Sequence, residues 1–537
     1  MSAYPIVPTY ATHGMVATPH YLATQAGVRM LLKGGNAVDA AVAANLALAV
    51  VYHRWCSVGG DLFALFWDAR AQELRALNAS GRAPQAMTPA AFAERGLKAV
   101  QRYGLPAVTV PGAVDGWHEL ISRHGKLNWA DVFQPAIEYA EEGFPISVKF
   151  TEAIKSNQAL LDQFPTTAAV FAPGGRIPQG GERFRQPGLA RSLRAIAEGG
   201  RDVFYTGTVG RAIAAFSQNN GGFLAEADLA AHRSNWVAPI SAEYRGHRVY
   251  EFPPNSQGLA ALEMFNVLDG YDLSALGHQT PEYLHLLLEA KKLAFADRDR
   301  YISDPDFVDI PLDRLLSKDY ATRQRARIDP ERAAVQVRPG AELEGDTIYL
   351  CAVDGEGNAV SLIQSLFFGF GCGVVAGDTG ILLQNRGSYF SLDPAHVNYL
   401  QPGKRTMHTL TPAMAFKHDH PVIVFGTMGG DAQPQIHVQM LSNMLDFGMN
   451  PQAAISAPRW RSGFFTGEEG GIAETVSAEN RIAAETLAAL AAKGHRIEVE
   501  EGWTSSMGHA QAIVIDREHG VLAGGADPRA DGLALGW

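Results

Sequence analysis

A threonine at the head of a strand can carry acyl-transfer chemistry if the bond before it is cut. Thr347 stands in the run Gly345-Asp346-Thr347-Ile348-Tyr349-Leu350-Cys351-Ala352-Val353, where an acidic, glycine-containing linker leads straight into β-rich sequence. Cleavage of the Asp346–Thr347 bond would leave a free α-amine beside the Thr347 hydroxyl, so nucleophile and base would belong to one residue. A free α-amine has a reference pKa of about 7.7–8.0. Near neutral pH a useful fraction of it is unprotonated and can act as general base.

A second hydroxyl follows from counting. Asp354-Gly355-Glu356-Gly357-Asn358 reads as a five-residue hairpin loop with two glycines. Val353 then pairs with Ala359, and counting back along both strands sets Thr347 opposite Ser365. Directly opposed residues share a face, with Cβ atoms about 4.5–5.5 Å apart. A four-residue loop would shift the register and remove the pair. The same pattern also fits an ordinary Thr/Ser pair in a plain hairpin.

The elements that must position this hairpin are strands and helices in one α/β unit. Residues 24–51 read as two helices around a turn, with Gly34-Gly35 ending the first and Asn36 capping the second. Strands are expected at Leu62–Trp67 and Glu73–Asn78, and helices at Asp131–Glu142, Leu189–Glu198, Val209–Asn219 and Pro281–Tyr301. Ala334–Gly345, with mixed charge and Pro339-Gly340, reads as an exposed loop where a chain can be cut. Beyond it the pattern predicts strands Ile348–Val353, Ala359–Leu366, Gly380–Leu383, Met414–Phe416 and Val422–Gly426, then helices Gln435–Asp446 and Ala478–Lys493. Strands with helices outside them suggest a layered sandwich.

Bulk composition narrows the function classes. The net charge is −11 over 537 residues, and basic residues occur only in scattered pairs such as Lys291-Lys292, which argues against nucleic acid. Three cysteines without a CxxC pair make no disulfide framework and fit a reducing compartment. The stretch Ala40–Val51 is apolar but contains Asn45 and is too short for a membrane span. The opening residues carry neither a basic n-region nor an apolar h-region, so the cytoplasm is the expected location.

A resemblance adds roles to these residues. Gly371-Cys372-Gly373-Val374-Val375-Ala376-Gly377-Asp378-Thr379-Gly380-Ile381-Leu382-Leu383-Gln384-Asn385, with the hairpin before it, resembles the small-subunit core of the γ-glutamyltransferase family of N-terminal nucleophile hydrolases. The likeness extends, in order, to Gly34–Ala41, Val58-Gly59-Gly60, Val110-Pro111-Gly112, Lys404-Arg405, Thr411-Pro412 and Gly426-Thr427-Met428-Gly429-Gly430. It implies a four-layer αββα sandwich and a proenzyme that cuts itself at Asp346–Thr347. The products would be residues 1–346 and 347–537, held together as a heterodimer or as a pair of such heterodimers. It implies Thr347 as nucleophile, Ser365 as the supporting hydroxyl, and the Gly429 and Gly430 amides as the oxyanion hole. A tight turn is the plainer reading of that glycine pair. No metal or other cofactor is implied.

At the substrate pocket the chain departs from the family pattern. The family holds an α-carboxylate with an arginine, and an α-ammonium with an acidic residue aided by Asn, Gln and two Ser. Here the acidic position is Tyr389, the Asn position Phe367, the Gln position Arg386, and the two serines are His408 and Thr409. The arginine position falls near Ser80, and a small loop shift would let Arg82 serve. A carboxylate is lost and a cation gained, so a small acidic amide lacking an α-amine is the expected substrate. Oxamate is one candidate and a glutaryl cephalosporin side chain another; the γ-glutamyl (glutathione) activity of the family remains the alternative. Arg386 could instead pair with Asp378 or Asp431, and His408 could be a satisfied core histidine. A metallohydrolase lacks its HExxH, and Gly369–Gly373 is not followed by the helix a dinucleotide loop needs. A family scaffold that never cleaves is the non-enzymatic alternative.

Overall fold

Alternation along the strands decides the layering. In the strand Asp346–Val353, Ile348, Leu350 and Ala352 join a cluster built on the helices Tyr21–Leu32, Ala37–Val51 and Trp129–Glu142. The intervening Tyr349, Cys351 and Val353 join a different cluster, shared with Met414, Phe416, Val424 and Ile513. In Ala413–Lys417 the even residues enter that same cluster, while Ala413 and Ala415 pack with the helices Gly258–Leu268 and Pro281–Tyr301. A period of two with both faces buried places two sheets face to face between two helical layers. This is the αββα arrangement expected. The protein is seen here as a computed structural model that describes residues 6–334, 346–466 and 472–537.

Each sheet has seven strands. One runs, in spatial order, Leu533–Gly536, Met15–Thr18, Asp346–Val353, Ala359–Phe367, Asp61–Asp68, Glu73–Ala79 and Asn235–Val237. The other runs Thr9–Ala11, Val521–Ala526, Ala510–Asp516, His420–Thr427, Ala413–Lys417, His247–Glu251 and Ile240–Tyr244. Both sheets take strands from either side of Thr347, so the two segments share one core.

The hairpin register is the one expected from Ile348 to Val353, where Ile348 faces Gln364 and Val353 faces Ala359. A bulge then intervenes, and Asp346 faces Phe367. The helix Ala37–Val51 lies against the hairpin with every residue buried, because its alanines let the backbone approach closely. Its one buried amide is accounted for: Asn45 Nδ2 donates to Gln364 Oε1 at 2.8 Å and Asn45 Oδ1 accepts from Trp117 Nε1 at 2.6 Å. The strand next to the site is thereby pinned by polar bonds from behind as well as by packing.

Two expected elements differ. Gly380–Leu383 is no ladder strand: Gly380 has φ of +70°, and only single bridges, Gly59 with Leu383 and Val375 with Leu382, hold the segment. The alanine-rich run predicted as a helix from Ala478 begins as strand Ile472–Glu479, and the helix covers only Ala484–Ala492. At the end of that strand the Glu479 carboxylate accepts from Arg529 at 2.7 and 2.8 Å. The linker expected as an exposed loop lies, from residue 335 on, outside the described residues.

Asp354 closes the hairpin loop. Its Oδ1 accepts from the Glu356 and Asn358 amides at 2.9 and 3.0 Å, and its Oδ2 accepts from the Ala37 amide at the head of the buried helix at 2.9 Å. Asp354→Ala leaves all three amides without that partner and should cost about 1–2 kcal/mol. A lower urea midpoint, partly restored in Asp354→Asn, is the expected outcome; an unchanged midpoint would show that the loop holds itself.

Candidate active site

The two hydroxyls meet. Thr347 is fully buried, and its Oγ1 donates to Ser365 Oγ at 3.1 Å. Ser365 Oγ also accepts from the Phe367 amide at 2.6 Å. The bulge before Ile348 means that the side chains meet although the ladder does not pair them in simple register. Close backbone approach explains the two glycines, Gly59 and Gly60, that precede the neighbouring strand Asp61–Asp68. A Cβ on Gly60 would lie 2.5 Å from the Ser365 carbonyl oxygen, and one on Gly59 2.4 Å from that of Leu382. The backbone behind Ser365 is in contact there, and no side chain fits.

Phe367, just past Ser365, holds φ of +80°, a strained value for a residue with a side chain. Its ring stacks beneath the Arg386 guanidinium, 4.0 Å from the ring centroid to the guanidinium carbon, and lies 5.1 Å from the Tyr389 ring. Arg386 opens a short helical turn, Arg386–Tyr389, and is 1% exposed. Its Nη1 donates to Thr409 Oγ1 at 3.1 Å, while its buried Nε and Nη2 have no hydrogen-bond partner. Burial pulls the Arg386 pKa down to about 10, against the raising fields of Asp61, Tyr389 and Asp431. The group therefore stays charged at neutral pH.

Arg386 pairs with neither acid considered from sequence. Asp431 Oδ1 accepts from Arg298 Nη1 at 2.7 Å and from the Tyr389 hydroxyl at 2.6 Å, and the Asp378 carbonyl accepts from Arg191. His408 is satisfied on both nitrogens, with Nε2 3.2 Å from Asp61 Oδ2 and Nδ1 accepting from the Leu410 amide at 3.3 Å. Burial, helped by Arg386, holds its pKa well below the usual imidazole range, so it is neutral. Arg82 is 34% exposed, and its guanidinium bonds Asp304 at 3.2 Å, Asp306 at 2.8 Å and the Gly403 carbonyl at 2.9 Å. Those partners, and not Thr347 or Arg386, take its hydrogen bonds.

Gly429 and Gly430 have φ of +138° and +54°. Among the described residues their amides donate no hydrogen bond to the protein, which leaves them available to an oxyanion. The Gly426 end of this segment faces the hairpin across the sandwich, where a Cβ would lie 2.5 Å from the Tyr349 ring. Gln257 joins the parts: its Nε2 donates to the carbonyls of Thr409 and Gly430 at 2.9 and 2.8 Å, and Arg298 Nη1 donates to its Oε1 at 3.1 Å. Sequence reasoning does not find Gln257, Arg298, Asp431 or Asp61 as site residues; of these, Asp61, directly after Gly59-Gly60, and Asp431, directly after Gly429-Gly430, sit beside recognised motifs.

Elsewhere, His285, Glu289 and His495 lie close enough to share a metal ion. Those groups already bind one another or Lys292, with His285 Nδ1 2.8 Å from His495 Nε2 and Lys292 Nζ 2.7 Å from Glu289.

The gamma-glutamyltranspeptidase family model matches residues 23–537. The chain belongs to that family. It is 47% identical to the glutathione hydrolase-like YwrD proenzyme of Bacillus subtilis, over 98% of both chains. It is 38% identical to the oxamate amidohydrolase proenzyme of Klebsiella pneumoniae, over 98% of this chain and 99% of that one. A crystal structure of cephalosporin acylase from Bacillus halodurans superposes with a TM-score of 0.91 at 42% identity, covering 100% of this chain and 99% of that one. The fold is that of the N-terminal nucleophile hydrolases. This family member is accordingly an enzyme acting on linear amide C–N bonds, in a group of self-processing amidohydrolases.

Gly60→Ala should push the Ser365 backbone out of place. A displacement near 1 Å at a reacting group can cost about 100-fold in rate, so a drop of that order in amide hydrolysis is expected. Wild-type turnover by the alanine variant would mean that Ser365 need not be held where it is.

Proposed function

We propose that the chain cuts itself between Asp346 and Thr347 and then hydrolyses small acidic acyl amides lacking an α-amine, oxamate among them. The observation that carries the substrate class is the Arg386 guanidinium. Its two unpartnered nitrogens, Nε and Nη2, form one edge of the fork. An incoming carboxylate can accept from both at once. Buried guanidinium N–H groups without acceptors are costly, and a carboxylate on that edge relieves the cost. The Phe367 and Tyr389 rings narrow the space beside it, which favours a short acyl group.

In processing, the Thr347 hydroxyl attacks the Asp346 carbonyl carbon, the peptide becomes an ester, and water releases it. The two segments, 1–346 and 347–537, stay together through their shared sheets. In the mature enzyme the Thr347 α-amine takes the hydroxyl proton, directly or through water. The oxygen attacks the substrate carbonyl while the Gly429 and Gly430 amides receive the oxyanion. The leaving amine departs with the proton, and water hydrolyses the acyl-enzyme. The Thr347–Ser365 contact and the unengaged glycine amides support this order, as does the word proenzyme in the names of the relatives.

A glutaryl-type acylase is the second reading, favoured by the full-length match to a cephalosporin acylase. It asks the same of Arg386 and differs only in acyl length. A γ-glutamyl amide also brings an α-ammonium. The Oδ1 of Asp431, beside the glycines proposed for the oxyanion, already accepts from Arg298 and Tyr389.

Denaturing mass spectrometry should show wild type as two fragments divided at Asp346–Thr347 and Thr347→Ala as one whole chain. Uncut wild type would support a scaffold without activity. On the processed protein, oxamate, glutaryl-anilide and γ-glutamyl-anilide separate the readings. Arg386→Gln should lower kcat/KM on the acidic substrate by about 100-fold, the value of a charge-assisted bidentate contact. Strong γ-glutamyl-anilide turnover without oxamate or glutaryl turnover would sink the acidic-acyl reading.

A further inference from the structure

A row of polar side chains crosses three neighbouring strands. Thr347 bonds Ser365 on the next strand, and Ser365 lies directly opposite Asp61 on the one after. Along Asp61–Asp68 the alternate residues Phe63, Leu65 and Trp67 belong to the cluster between the sheets. Asp61 therefore points to that side as well, where it meets His408, whose chain neighbour Thr409 accepts from Arg386. It is fully buried.

The Asp61 carboxylate accepts from the Gly81 amide on Oδ1 at 3.0 Å, and its Oδ2 is 3.2 Å from His408 Nε2. Because His408 Nδ1 accepts from the Leu410 amide, the ring hydrogen sits on Nε2 and is donated to Asp61. His408 is thus a neutral donor and supplies no counter-charge. The charged groups facing Asp61 are Arg386 and Arg405. The Tyr205 phenol near it is kept neutral by burial. Arg405 spends its donors on the Ser80 carbonyl and Asn235. Arg386 acts through its field alone, since its one side-chain hydrogen bond goes to Thr409. Cleavage would add the Thr347 α-amine at the far end of the row.

The Asp61 charge is therefore balanced chiefly by a guanidinium that is also the proposed seat of the substrate carboxylate. When a ligand carboxylate occupies Arg386, two anions share one buried cation. We propose that Asp61 is the specificity-determining residue of this pocket and takes up one proton from solvent when an acyl carboxylate settles on Arg386. The inference rests on the acidic-acyl reading above. The bookkeeping is a carboxylate and a solvent proton giving a neutral carboxyl group, with no other bond changed. A zwitterionic γ-glutamyl group would instead offer its ammonium to an ionised Asp61 and need no proton. The charge on Asp61 thus sorts the two acyl classes.

The pH range follows from the free pocket, where burial pushes the Asp61 carboxyl up to about 7 against the pull of Arg386. Below that value Asp61 already carries the proton and ligand binding takes up none. Above it the uptake approaches one proton, and affinity falls by up to about tenfold per pH unit.

The test is calorimetric titration of processed wild type with oxalate at pH 6 and pH 8, in buffers of different ionisation heat. The expected uptake is near zero at pH 6 and close to one proton at pH 8. Asp61→Asn should bind oxalate at pH 8 about tenfold tighter than wild type, the value of one pKa unit, with no uptake at either pH. Uptake that persists in Asp61→Asn would assign the proton to another group, such as the Thr347 α-amine, and overturn the inference. Oxalate binding by wild type at pH 8 without uptake would overturn it while leaving the acidic-acyl reading intact. Absence of oxalate binding at both pH values would remove that reading and this inference together. If Asp61→Asn fails to fold or process, infrared difference spectra of wild type at pH 8 decide: a protonated-carboxyl band that appears with oxalate is expected, and proton uptake without that band would overturn the inference.

Discussion

Val353 pairs with Ala359 because Asp354 closes a five-residue loop, and the odd-numbered residues upstream then face the space between the two sheets. With the bulge before Ile348, this register lets the Thr347 hydroxyl reach Ser365; a slip of one residue in the Thr347 strand would turn its side chains to the other layer. Several separate contacts hold the register. Asp354 ties the loop to the head of the buried helix, Asn45 grips Gln364 from behind, and the Gly60 backbone presses on the Ser365 carbonyl. The local backbone strain sits beyond this point, at Phe367, where the chain leaves the sheet to form the pocket.

Charge organises the candidate pocket as the register organises Thr347 and Ser365. Arg386, Asp61 and Asp431 are each less than a tenth exposed. Asp431 is engaged through Oδ1 by Arg298 and Tyr389, whereas Arg386 keeps one edge of its guanidinium without hydrogen-bond partners. Hydrogen bonds in this region go mostly to backbone: Gln257 to Thr409 and Gly430, His408 to Leu410, Arg405 to Ser80. Such a frame is rigid where it meets itself and unsatisfied where a ligand would sit, which is the signature of preorganisation.

Much of this is legible in the amino-acid sequence. The hairpin loop, the Thr347–Ser365 neighbourhood and the capped buried helix depend on local spacing, and local spacing is what a sequence displays. The glycines at 59, 60, 429 and 430 stand out for the same reason. The acidic partners of Arg82, Asp304 and Asp306, escape sequence reasoning because they lie more than two hundred residues away. Gln257 and Arg298 escape it because each acts through segments distant in sequence and belongs to no local pattern. Gly380–Leu383 misleads because an apolar run beside glycines resembles a strand, although single bridges hold it here. The helix expected from Ala478 starts later, at Ala484, because Ala478 and Glu479 pair as strand between Trp460–Thr466 and Ile497–Glu500.

The central claim is that Thr347, once freed, receives an acidic acyl group whose carboxylate rests on Arg386. Rapid acid quench of processed enzyme turning over oxamate, followed by fragment mass spectrometry, tests it directly. The account predicts one oxalyl group attached to the first residue of the 347–537 chain, absent in Arg386→Gln under the same conditions. An adduct on any other residue, or rapid oxamate turnover with no acyl-enzyme formed and Arg386→Gln unimpaired, would contradict it.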